Sequence, residues 1–204
     1  MFISFEGPEG SGKTTVIKAV EKYLVSKKFE VVLTREPGGV AISEKIRDLI
    51  LDPDHKEMDA RTEALLYAAS RRQHLVEVIE PALEANKIVL SDRFIDSSLA
   101  YQGIGRGIGV AEVMSINDFA LNGVMPDLTI FLDVKPEIGM MRIEKRGYKD
   151  RLELEKGGFH DRVYEGYLQV ADTFNDRIKK VNANQPVDIV LKDVIAIIEG
   201  YLNE

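Results

Sequence analysis

The chain has 204 residues, 45% of them hydrophobic and 30% charged, which suits one domain with a core closed on both faces of a sheet and argues against disorder or collagen-like repeats. Its formal net charge of −7 argues against broad binding to nucleic acid or anionic membranes, because either needs a basic face to neutralise phosphates. It contains no cysteine, so disulfides, thiolate metal sites and a cysteine nucleophile are excluded. Residues 2–5, Phe2-Ile3-Ser4-Phe5, read as a buried strand, and GPEGSGKTT from Gly7 to Thr15 follows at once. This run fits the template GxxxxGK[ST]. Glycines at Gly7, Gly10 and Gly12 let the backbone take conformations that a Cβ would block, so successive N–H groups can turn inward around an anion. Lys13 adds a point charge near the β and γ phosphates of a nucleotide, and the Thr14 hydroxyl can ligate Mg²⁺. Residues 13–28 carry Ile17, Val20 and Leu24 on one helical face, so the loop opens a helix whose N-terminal dipole also attracts phosphate.

Residues 30–33 read as a second strand, interrupted by the turn residues TREPGG from Thr34. Ile42, Ile46, Leu49 and Ile50 mark a short helix stopped near Pro53, and 59–85 is a long helical stretch that Pro81 should kink or break. Ile88-Val89-Leu90 is a third strand closed by Ser91-Asp92. Helix is expected over 111–121, strand over 128–132, and helix over 136–146 with Pro136 in its first turn. The remaining expectations are a helix over 159–181, a last strand over 187–191 and a terminal helix over 194–202. Strands separated by helices in this rhythm predict an α/β fold, a parallel sheet with helices on both faces and its site at the strands' carboxyl ends. Loops at 7–15, 35–39, 92–109 and 147–158 hold the unusual polar content there. No linker or internal repeat marks a boundary, so 1–204 is expected to be a single domain. No apolar run approaches the roughly 18 residues of a membrane helix, and Met1 leads straight into the first strand; a cytoplasmic protein without membrane partners is expected.

Around the phosphate loop, Asp92 ends an apolar strand, the position from which a second acidic residue reaches Mg²⁺ through water. Arg93 would point into the same crevice. Arg47, Arg71 and Arg72 lie on helices that begin after the crevice loops; each is either a solvated helix charge or a fork for phosphate oxygens. Segment 147–158, GYKDRLELEKGG, is polar and bounded by glycines, as a mobile lid would be, with Arg142, Arg146 and Arg151 flanking or within it. His55, His74 and His160 are widely spaced and read as surface or capping residues.

These motifs together resemble the bacterial thymidylate kinases over essentially the whole chain: FEGPEGSGKTT from Phe5, TREPGG from Thr34, ASRRQH from Ala69, SDRFIDSSLAYQG from Ser91, PDLTIFLDV from Pro126 and VNANQP from Val181. The resemblance implies a P-loop NTPase-type fold with a five-stranded parallel sheet, transfer of the ATP γ-phosphoryl to dTMP to give dTDP and ADP, dependence on Mg²⁺, and a homodimer paired through helices. It implies that Gly7, Pro8, Glu9, Gly10, Ser11, Gly12, Lys13, Thr14 and Thr15, with Arg142, bind ATP, and that Thr14 and Asp92 serve the metal. For dTMP it implies Arg93 and Arg47 at the phosphate with Glu36 near both, Glu9 at the 3′-hydroxyl, Tyr67 stacked on thymine and Arg71 on a base carbonyl. Ser98 and Gln102 would meet the base edge, and Tyr101 would crowd the 2′ carbon. The transfer would be carried by Lys13, Asp92, Arg93 and a lid arginine, since the phosphate loop has none. Arg151 is the candidate for that role, with Arg142 or Arg146 able to share it. A related kinase with another acceptor remains an alternative, as does a P-loop ATPase acting as a motor or assembly subunit. A GTP-dependent switch would carry NKxD and DxxG, and neither pattern occurs.

Overall fold

Strands that are apolar along their whole length must be covered on both faces, and parallel pairing is the arrangement in which helices do so. The computed structural model describes residues 1–144, 147 and 149–202. Its strands are β1 (Phe2–Glu6), β2 (Val31–Arg35), β3 (Ile88–Asp92), β4 (Leu128–Asp133) and β5 (Ile178–Asn182). They form one sheet in the order β2-β3-β1-β4-β5 with every pairing parallel. The described helices are α1 (Lys13–Ser26), α2 (Ala41–Leu51), α3 (Ala60–His74), α4 (Glu80–Glu84), α5 (Ile95–Ser98), α6 (Val110–Leu121), α7 (Pro136–Glu144), α8 (Phe159–Thr173) and α9 (Val187–Leu202).

The period of two along β1 divides the core. Ile3 and Phe5 face one side, where they pack with Val16, Val20 and Leu24 of α1 and with Val190, Val194 and Ile198 of α9. Phe2 faces the other, among Leu75, Phe94, Phe131 and Tyr167. Ser4 and Glu6 share that second face and are buried there as polar groups. β1 therefore ends with a carboxylate under the helices and a phosphate loop above it.

The carboxyl ends of β1 and β3 lie side by side, with Phe5 in register with Asp92. β1 pairs with β3 on one side and β4 on the other, so connections leave this point in opposite directions and open a crevice. α7 leans on the loop that fills it: a Cβ on Gly10 would meet the Gly139 carbonyl oxygen at 2.2 Å, and one on Gly139 would meet the Glu9 carbonyl oxygen at 2.1 Å. Only two glycines allow backbones so close.

Four sequence expectations are corrected. The helix expected over 159–181 ends at Thr173, and the last strand is β5 at 178–182, not 187–191, which is the first turn of α9. β5 is an edge strand that buries only Ile178 and Val181, so it shows no apolar run. Val190, Val194 and Ile198 recur every fourth residue, which is the helical period, and Pro186 sits just before the helix. The stretch 92–109, read as a loop, is largely helical: α5 runs into a π-helical stretch, Leu99–Gly105, packed under α8. β2 runs on through Thr34 and Arg35, which pair with Ser91 and Asp92. The long stretch 59–85 is interrupted where Pro81 predicts, by a π-helical turn, Leu75–Ile79, before α4.

Candidate active site

The phosphate loop is built from the residues that its motif names. Gly12 takes φ +92° and caps α1, and its carbonyl accepts from the N–H groups of Thr15 and Val16. Lys13 is buried, and its ammonium donates to the Gly7 carbonyl at 2.9 Å, the Pro8 carbonyl at 3.1 Å and Ser11 Oγ at 3.2 Å. Thr14 Oγ1 donates to Asp92 Oδ2 at 3.0 Å. The hydroxyl from the loop and the carboxylate from β3 thus converge, two hard oxygen donors of the kind Mg²⁺ accepts alongside retained water. A cleft follows the loop from Glu9 to Thr15 and is walled by Asp92, Arg93, Arg142 and Ile143. Arg142 Nη1 donates to the Gly10 carbonyl at 3.0 Å, an approach that the Gly10–Gly139 contact makes possible.

A second pocket adjoins it, lined by Tyr67, Arg71, Phe94, Ser97, Ser98, Tyr101 and Gln102, and by Asp150, Leu152 and Glu153 of the segment after α7. Glu9, Glu36, Arg47 and Arg93 line both cavities. Arg93 has φ +73°, a left-handed conformation that costs energy for a residue with a Cβ and is characteristic of functional sites. Its Nη2 donates to Glu9 Oε1 at 2.5 Å and Tyr101 Oη at 3.3 Å. Arg47 Nη1 donates to the Pro37 carbonyl at 2.9 Å.

Arg71 is 1% exposed and its guanidinium is nearly saturated. Nε donates to Glu36 Oε2 at 2.8 Å, Nη2 to the Phe94 carbonyl and Ser98 Oγ at 3.1 Å each, and Nη1 to Asn117 Oδ1. A charge buried so deeply is tolerable only with such pairing. Glu36 also meets His74 Nδ1 at 3.0 Å, while His74 Nε2 meets Thr34 Oγ1 at 2.6 Å. His74 is therefore a buried residue behind Glu36, not the surface or capping residue expected. Arg72 departs from the group altogether: it pairs with Glu80 at 3.0 Å, reaches the Ala120 carbonyl, and lines neither cavity.

Arg151, the candidate lid arginine, is enclosed by protein groups. It is 7% exposed, with Nε donating to the Ile50 carbonyl at 2.7 Å and Nη2 to Glu63 Oε2 at 2.5 Å. It does not line the phosphate-loop cleft. Glu63, fully buried, also receives Arg106 Nε and Nη2 and Gln102 Nε2 at 2.9–3.2 Å. One carboxylate thereby ties the segment after α7 to α3 and to the π-helical stretch. Arg146 lies outside the described residues. Sequence reasoning did not single out Glu6, Glu63, Ser97 or Tyr167. Glu6 was accessible from the alternation along β1; Glu63 and Tyr167 stand on ordinary helix faces and carry no local signal.

A family model described as thymidylate kinase matches residues 5–194. The chain is 59% identical over 203 residues to a thymidylate kinase of Clostridium novyi, covering 98% of this chain and 97% of that one. It is 56% identical over 199 residues to a thymidylate kinase of Geobacillus, covering 97% and 95%. The crystal structure of thymidylate kinase from Ehrlichia chaffeensis superposes with a TM-score of 0.79 at 35% identity, covering 98% of each chain.

The charges in the wall shape the site's response to pH. Burial works to raise the Glu9 carboxyl, but Arg93 and then Lys13 outweigh it and hold it below the ordinary range. Burial, reinforced by Arg93, pushes the Lys13 ammonium down to about 8. Burial, then Asp96, pushes the Glu6 carboxyl up to about 7 despite Ser97, Arg93 and the Phe94 N–H. The folded chain thus holds the Glu6 proton more tightly than the unfolded one. The associated stabilisation is fully present below the ordinary carboxylate pKa and is lost as pH rises through about 7. Urea unfolding at pH 5 and pH 8 should therefore show wild type losing more stability across that interval than Glu6→Gln; parallel losses would show that Glu6 does not titrate there.

Proposed function

The chain belongs to the thymidylate kinase family and transfers the γ-phosphoryl group of ATP to dTMP, giving dTDP, and we propose that the two adjoining cavities hold donor and acceptor on either side of Arg93. The observation that carries this assignment is the shared wall, since Glu9, Arg47 and Arg93 reach both cavities. In this reading the N–H groups of 7–15 and Lys13 hold the ATP phosphates. Thr14 and Asp92 hold Mg²⁺, which neutralises phosphate charge when bound. Arg47 and Arg93 hold the dTMP phosphate, with Glu36 fixing Arg71 beside them. Glu9 accepts from the 3′-hydroxyl, Tyr67 stacks on thymine, the remaining Arg71 N–H meets a base carbonyl, and Ser98 and Gln102 meet the base edge. Tyr101 fills the space a 2′-hydroxyl would need.

Phosphoryl transfer asks the protein for alignment and charge neutralisation more than for covalent chemistry. No protein nucleophile is required, because the acceptor phosphate oxygen is itself the attacking group. Residues 1–204 act as one domain in which 147–158 is the lid. The arginine that meets the moving phosphoryl is assigned to Arg142, on the support of its contact with Gly10, and Arg151 is assigned to anchoring the lid on Glu63. Use of ATP and dTMP suits a cytoplasmic enzyme. The homodimer assignment rests on apolar surface: Phe119 on α6 is 91% exposed, Leu65 on α3 is 56% exposed, and a groove beside Leu65 is lined by Ile108, Ala111 and Ile116. Exposed apolar groups clustered in this way mark contact surfaces.

An acceptor panel with ATP and Mg²⁺, followed by ADP release, should place dTMP ahead of dUMP and ribonucleotides, with Lys13→Ala lowering turnover by at least ~10²-fold. Equal use of all acceptors would remove the base and sugar assignments. Arg142→Ala should lower kcat by ~10²-fold, whereas Arg151→Ala should lower thermal stability and change kcat by less than ~10-fold. The reverse pattern would return the phosphoryl role to Arg151. Sedimentation should find a dimer that Phe119→Asp or Leu65→Asp dissociates; a wild-type monomer would contradict the pairing.

A further inference from the structure

We infer that Glu6, which lines neither cavity, is a positioning residue for the reaction: it orients the two hydroxyls that hold Arg93 and so aims that guanidinium at the acceptor phosphate. This rests on the assignment of Arg93 to that phosphate. Arg93 Nη1 donates to Tyr167 Oη at 2.8 Å and to Ser97 Oγ and the Gly7 carbonyl at 3.1 Å. A hydroxyl has one proton, so each oxygen can accept from Arg93 only if its own proton points elsewhere. Ser97 Oγ donates to Glu6 Oε2 at 2.5 Å, Tyr167 Oη lies 3.2 Å from the same oxygen, and the two hydroxyls are 2.8 Å apart. Whether the Tyr167 proton goes to Glu6 directly or by way of Ser97, both protons run away from Arg93 and end on a carboxylate. With Glu6 ionised, such a chain has one direction because its terminus only accepts.

Glu6 grips Arg93 from its backbone side as well. Its Oε1 accepts from the Phe94 N–H at 2.7 Å, next to the left-handed Arg93. The carboxylate is 1% exposed, with Asp96 the other acid near it, and Asp96 is itself paired to Arg177 at 2.6 Å. Replacing Glu6 with the isosteric amide keeps the shape and reverses the polarity. If the amide oxygen keeps the Phe94 N–H, the amide N–H₂ takes the place of Oε2 and donates to the hydroxyls. Their protons then turn toward a cation. Turned the other way, the amide nitrogen faces the Phe94 N–H, donor against donor.

The test compares wild type, Glu6→Gln, the double variant Ser97→Ala/Tyr167→Phe, the triple variant and Arg93→Ala, with KM for each substrate and kcat. Glu6→Gln should raise KM for dTMP at least ~10-fold while KM for ATP stays within ~2-fold. The double variant should show a rise of similar size, and the triple variant should be no worse than the poorer parent, as coupled groups behave. A wild-type KM for dTMP in Glu6→Gln, or a triple-variant loss equal to the product of the two, would overturn the inference. Should Glu6→Gln fold poorly, the double variant decides alone, and an unchanged dTMP KM in it overturns the inference equally. Arg93→Ala separates the two claims: an unchanged dTMP KM there removes the phosphate assignment itself. A raised value beside an unaffected Glu6→Gln removes only the role of Glu6.

Discussion

A guanidinium set into the wall between two cavities must have its charge answered by the protein and still face both. Arg93 meets that requirement through the Glu9 carboxylate on one amino group and three neutral oxygens on the other. Glu9, Tyr101, Ser97, Tyr167 and the Gly7 carbonyl engage its two terminal nitrogens, and Arg71 is engaged as fully by Glu36, Asn117, Phe94 and Ser98. The two differ in burial: the Arg71 side chain is 1% exposed and that of Arg93 15%. A fully enclosed cation has to be satisfied by the protein, while one at a cavity wall can be shared with an anion that arrives.

That placement depends on the sheet. β1 is flanked by β3 and β4, so the phosphate loop leaves the one point where connections diverge, and Asp92 and Arg93 leave the neighbouring strand in register with it. The same alternation that buries Ile3 and Phe5 under α1 and α9 turns Glu6 toward α5 and α8. A carboxylate at the end of a buried strand is costly to enclose, and two of its partners here, Ser97 and Tyr167, also touch Arg93. Stability and function are in tension at this residue: burial favours the protonated acid, and the hydrogen-bond chain needs the ionised one.

Elements whose chemistry is local were legible in the chain. The phosphate loop, its strand and its helix follow from glycine freedom, a lysine and a hydroxyl at set spacing, and an apolar stripe. The acid that ends β3 follows from its position at the close of an apolar strand. Failures occurred where burial was decided by distant partners. β5 looks polar because it lies at an edge, and α9 opens with β-branched residues that imitate a strand. His74 reads as an ordinary helix histidine, yet it is enclosed because Glu36 and Thr34 come to it from β2 and the turn after it.

By itself the sequence determined the alternation of strand and helix, the anion-binding loop, the set of arginines available to meet phosphate, and the family, because each depends on residues close together or on motifs in order. Only the tertiary structure decided where each of those arginines lies and which protein groups surround it. Arg47, Arg71, Arg72, Arg93, Arg142 and Arg151 look alike in a string of letters. They differ once folded: Arg72 turns to Glu80, Arg151 is taken by Glu63, Arg71 is enclosed, Arg142 rests on the loop, and Arg93 stands between the cavities. The reason is that an arginine's role is set by which acceptors surround its five N–H groups, and those acceptors come from segments as many as 132 residues away.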